Sequence, residues 1–77
     1  MVTGFVLISA MPGKEQEVHN ELSKVKEIAE LHSLFGEYDL MARIEAKDFG
    51  ELENIILNKI RTVGGVADTK TLVGTKF

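Results

Sequence analysis

Two short segments of this chain hold the residue types needed to grip a small polar molecule. The first is Gly36-Glu37-Tyr38-Asp39, set between two apolar runs. Its loop N–H groups can receive a carboxylate, while Asp39 or Glu37 offers negative charge to an ammonium. That pairing suits a zwitterion, that is, an amino acid. The same four residues also make an ordinary hairpin turn, with Gly36 supplying positive φ and Asp39 bonding to nearby backbone. The second segment holds Thr69 and Thr71. At a spacing of two on a strand their hydroxyls point to one face and can reach one ligand. Threonine is equally at home on a solvated strand edge.

Acid–base chemistry has one further candidate. His32 and Glu30 are also two apart, so an imidazole and a carboxylate can meet on one strand face. Such a pair could serve a cofactor-free dimeric α+β-barrel enzyme, and a partly exposed strand histidine is the plainer reading. His19 flanks the apolar stripe of a helix. Two histidines and no cysteine leave no expected metal site, disulfide or thiol nucleophile. No cofactor is expected.

These residues must be positioned by very little protein. Seventy-seven residues make a single domain (residues 1–77), and a chain this size buries only roughly 60–65% of its unfolded surface. Without disulfides or metal, association with further copies is the expected stabiliser. The net charge is −3 and no Lys/Arg cluster marks a phosphate-tracking surface, which argues against direct DNA binding. Phe5-Val6-Leu7-Ile8 is far too short to span a bilayer, and Met1-Val2-Thr3-Gly4 carries no basic side chain of a signal peptide. A soluble cytoplasmic protein with no membrane partner is expected.

Periodicity places the elements. Thr3 to Met11 reads as a strand, stopped by Pro12-Gly13 and apolar on both faces (Phe5 and Leu7 against Val6 and Ile8), hence central. Lys14 to Lys26 has a helical period, with Val18, Leu22 and Val25 on one stripe. Ile28 to Phe35 and Tyr38 to Ala46 alternate around a short Gly36-Glu37 turn and read as a hairpin. In the first of these runs Ile28, Glu30 and His32 fall on one side and Ala29, Leu31 and Ser33 on the other. Asp48 with Glu51 makes a capping box, and Phe49, Leu52, Ile56 and Ile60 form a second helical stripe with Ile55 beside it. Gly64-Gly65 ends that helix, and Val66 to Phe77 reads as a last strand, with Gly74 as a bulge or close contact.

The order β-α-β-β-α-β is that of an α+β, ferredoxin-like sandwich. Right-handed crossovers put both helices on one face of a four-stranded antiparallel sheet. The other face stays bare, and an exposed apolar sheet face calls for a partner. A homodimer formed through the sheet is the expectation.

On these residues the chain resembles the RAM (regulation of amino-acid metabolism) domain, the ligand-sensing part of Lrp/AsnC-family feast/famine regulators. The resemblance rests on Gly36-Glu37-Tyr38-Asp39-Leu40, Asp48-Phe49-Gly50-Glu51-Leu52, Ile60-Arg61-Thr62-Val63-Gly64-Gly65-Val66 and Thr69-Lys70-Thr71. It covers nearly the whole chain from Thr3. It implies dimers assembling into closed rings, octameric or decameric, with amino-acid effectors between dimers. It also implies ligand contacts from Gly36, Glu37, Tyr38 and Asp39 and from the hydroxyls of Thr69 and Thr71. Family members carry an N-terminal helix-turn-helix, whereas this sequence opens at the first sensing strand. It therefore reads as a stand-alone sensor, acting through ligand binding or as an assembly partner of full-length Lrp/AsnC regulators.

Overall fold

A computed structural model describes residues 1–75. The elements follow the expected order: β1 (Val2–Ala10), α1 (Glu15–Leu22), β2 (Ile28–Ser33), β3 (Leu40–Ala46), α2 (Phe49–Ile55) continued by a π-helical turn (Ile56–Ile60), and β4 (Val66–Val73). The sheet order is β2-β3-β1-β4 and every pairing is antiparallel. The chain thus has the ferredoxin-like α+β fold.

Alternation on the two central strands creates the core. Val6, Ile8 and Ala10 of β1 and Leu40, Ala42, Ile44 and Ala46 of β3 are buried beneath Val18 and Leu22 of α1 and Leu52, Ile55, Ile56 and Ile60 of the second helix. The helix sits directly on β1 at Gly4, where a Cβ would lie 2.6 Å from the Leu52 Cδ1. The cap of α2 forms as the sequence indicates: the Asp48 carboxylate accepts from the Glu51 amide at 2.8 Å. The returning Glu51 carboxylate accepts from the Lys47 amide instead of the Asp48 amide, one residue outside the expected box.

Five sequence expectations shift. α1 stops at Leu22, not Lys26, because the Ser23 hydroxyl donates to the His19 carbonyl and the next amides bond three residues back (Lys24 to Glu21, Val25 to Leu22), tightening the last turn. The hairpin turn is a six-residue loop, 34–39, between Ser33 and Leu40. Phe49 is 65% exposed and leaves the core to its neighbours. An irregularity at Ala29 moves Ile28 to the core side, opposite Ile44, while Glu30 pairs with Arg43 on the open face. β4 ends at Val73; the Gly74 amide still donates to the Thr3 carbonyl at 2.8 Å, a close contact beyond the strand. The expected extension to Phe77 runs past the described residues.

Candidate functional site

The register decides where each candidate side chain points. Thr69 lies opposite Ile8 and Thr71 opposite Val6, and both partners are fully buried on the helix side. Antiparallel partners share a face, so both hydroxyls face α2. They line a groove of about 390 Å³ with Phe49, Leu52, Glu53, Ile56, Leu57, Arg61 and Val73. Its helical wall is the row Phe49, Glu53, Leu57, Arg61, one residue in four. The π-turn, closed by the Arg61 amide on the Ile56 carbonyl at 2.9 Å, brings that row to Arg61.

Asp39 sits elsewhere. Its amide donates to the Ile8 carbonyl at 2.9 Å, and its carboxylate accepts from the Ala10 amide at 2.8 Å. The side chain therefore extends the attachment of β3 to β1 past their last paired residues, Ile8 and Leu40. One Asp39 oxygen is used in this way, and the residue also borders a cavity of about 260 Å³ beside α1, with Glu15, Gln16, His19, Ser33, Leu34 and Leu40. Gly36, at φ +149°, and Glu37 are exposed, and Tyr38 is half-buried. None of these three lines either cavity. Within one chain, then, Thr69 and Thr71 share a wall, while Asp39 opens on a separate cavity that has no lining residue in common with theirs.

The open sheet face carries a second polar group. The His32 imidazole meets the Glu30 carboxylate at 3.1 Å, and the Arg43 guanidinium donates to Glu30 at 3.1 Å and also to Glu45. The Thr3 hydroxyl donates to Glu45 at 2.8 Å. Hydrogen bonds from His32 and then Arg43 hold the Glu30 carboxyl below the usual glutamate range, and Glu30 in turn raises the Arg43 guanidinium. The expected imidazole–carboxylate pair thus forms, but His32 is 51% exposed on an open surface. Within one chain the pair therefore lies open to solvent, not in the enclosed cavity that favours acid–base catalysis. Among the described residues no group of three or more His, Asp or Glu side chains is placed to hold a metal ion, and no helix is long and apolar enough to cross a membrane.

Sequence reasoning put both threonines on one face but did not register the helical wall opposite them. Assigning Phe49 to the core stripe hid the row it begins, although its spacing of four through Glu53 and Leu57 to Arg61 is visible in the sequence.

Comparison with known proteins places this geometry. The Lrp/AsnC ligand binding domain family matches residues 3–76. HTH-type transcriptional regulator FL11 of Pyrococcus furiosus is 35% identical over 75 residues, 97% of this chain and 49% of the relative. HTH-type transcriptional regulator PH0140 of Pyrococcus horikoshii is 32% identical over 74 residues, 96% of this chain and 47% of the relative. The chain therefore spans about half the length of these curated relatives. Among solved structures, FFRP-DM1 superposes with a TM-score of 0.90 at 35% identity, covering 97% of this chain and all of that one. AsnC of E. coli (TM-score 0.91, 21% identity, 99% of this chain and 52% of that one) shares the fold. So does NMB0573 of Neisseria meningitidis, solved as a complex with L-Met (TM-score 0.87, 19% identity, 97% and 50%). With a family match across nearly its whole length and the ferredoxin-like fold beneath it, this chain belongs to the Lrp/AsnC ligand-binding domain family.

Proposed function

We propose that this protein is a non-enzymatic amino-acid-binding and oligomerisation domain that acts in transcriptional regulation of amino-acid metabolism. The observation that carries the reading is the side-by-side placement of Thr69 and Thr71 on the wall of a groove in a chain of a ligand-binding family. The relatives' description as transcriptional regulators and the L-Met complex of a protein with the same fold support it. The bare sheet face, with Phe5 and Leu7 of β1 beside Met41 of β3 and Leu72 of β4, favours a dimer formed sheet to sheet. Higher assembly, as an octamer or decamer, would bring the loop of Gly36, Glu37, Tyr38 and Asp39 of one copy to the groove of another. Mixed assembly with full-length Lrp/AsnC regulators would link ligand binding to DNA without direct DNA contact by this domain. Calorimetric titration with the common amino acids, run beside sedimentation velocity, tests the reading. Saturable binding of at least one amino acid with a change in assembly size supports it, and intact oligomers that bind none of them refute the sensing role.

A further inference from the structure

We propose that the Phe35 side chain of one copy of this chain seats in the groove between α2 and β4 of another, making the contact that joins dimers. This rests on the assembly reading above and names its contact surface and its partner, a second copy. Three observations carry it.

The first is an aromatic ring with nothing around it. Phe35, in the loop between β2 and β3, is 107% exposed, and Leu34 beside it is exposed as well. A phenylalanine left in water forgoes one of the largest burial gains open to a side chain. The groove of its own chain is out of reach. Phe35 lies two residues past the end of β2, a tether of about 7 Å. β4 lies three strand spacings from β2, about 14 Å. The core strands β3 and β1, with the helices packed on them, stand between.

The second is a receptor of matching chemistry. Phe49, Leu57 and Val73 are exposed, and all three line one groove of about 390 Å³. An apolar cavity of about 150 Å³ takes one benzene ring. The groove therefore has room for the Phe35 ring and for a small ligand beside Thr69 and Thr71.

The third is charge. Glu37 follows Phe35 by two residues, and Arg61 lines the groove. Among the described residues neither takes part in an ion pair. With the ring seated against Leu57, the Glu37 carboxylate can meet the Arg61 guanidinium of the other copy. Glu53, on the same wall, repels Glu37 and so fixes the end of the groove that the loop faces. Because the inserted residue and its groove are different surfaces, the contact is heterologous, and it closes into a ring or runs on as a chain. Sheet-to-sheet pairing joins like surfaces and stops at two.

The test is sedimentation velocity of the full chain over a concentration series, with circular dichroism to verify folding. Phe35→Ser and Leu57→Glu both alter exposed positions. Each is expected to weaken assembly beyond the dimer about ten-fold or more and to keep the dimer. Mixed in equal amounts, the two variants supply an intact Phe35 on one copy and an intact groove on the other. Species larger than a dimer are therefore expected in the mixture and in neither variant alone. On the parent chain, nuclear Overhauser contacts between labelled and unlabelled copies are expected from the Phe35 ring to the methyls of Leu57 and Val73. Unchanged assembly in Phe35→Ser, or no larger species on mixing, overturns this contact and leaves amino-acid sensing standing. A parent that never exceeds a dimer overturns it together with the higher assembly proposed above. Groove methyl shifts that follow an added amino acid and not protein concentration make a small ligand the occupant, and they overturn it too.

Discussion

At the scale of single residues, the Asp39 carboxylate ties the end of its loop to the neighbouring strand. Asp39 holds the Ala10 amide at 2.8 Å, so its removal leaves a part-buried donor without a partner. Asp39→Ala is expected to cost about 1–3 kcal/mol, visible as a lower urea midpoint with little change in slope. Glu30 offers a different signature. His32 and Arg43 depress its folded pKa, so the interaction favours the folded state above the usual carboxylate range. That contribution is lost as pH falls through the depressed value. NMR titration should find Glu30 below the ordinary glutamate range and should find it moved upward in Arg43→Gln. An unshifted Glu30 in the parent would show that the network on the sheet face does not persist in solution. Both residues are exposed enough that the shift reports geometry more than stability.

At the scale of elements, the helices are short and depend on their ends and on the sheet beneath them. α2 begins at Asp48, whose side chain takes the Glu51 amide, and Asp48→Ala is expected to destabilise the fold by about 1 kcal/mol. In a domain of this size that is a fall of about 4–8 °C in the thermal midpoint, measurable by circular dichroism. Element order, the apolar stripes and this cap were legible because each depends on local spacing. Less legible were the early stop of α1, where Ser23 competes for the helix's own carbonyl, and the displaced Ile28, where one irregular residue reverses strand parity. Phe49 was misassigned for a related reason. A 3.6-residue period marks the buried stripe well, but Phe49 is the first residue of the helix, and how far the sheet beneath extends to cover that end is set by packing and not by the period.

At the scale of the whole molecule, the bare sheet face is the feature that most needs a second copy. Leu7 sits on it near the middle of β1, opposite Met41 and Lys70. Leu7→Lys sets a second cation beside Lys70 where two sheets would meet, and desolvating that unpaired charge costs several kcal/mol. The expected result is a dimer weakened about 100-fold or more in sedimentation equilibrium, with the monomer's circular dichroism retained. Unchanged association in that variant would move the dimer contact off the sheet.

The sequence by itself determined the element order, the ferredoxin-like class, the central place of β1 and the common face of Thr69 and Thr71. Those properties follow from periods of two and 3.6 and from caps, all of which act over a few residues. Only the tertiary structure decided that this common face is the helix side, since a strand's parity defines two faces without saying which is covered. Pairing with Ile8 and Val6 settles that choice. The same long-range pairing spends one oxygen of Asp39 on β1 and sets Phe49, Glu53, Leu57 and Arg61 across from the two threonines, 8 to 22 residues away along the chain. Contacts over such separations depend on how the packed elements meet, and no local period encodes that.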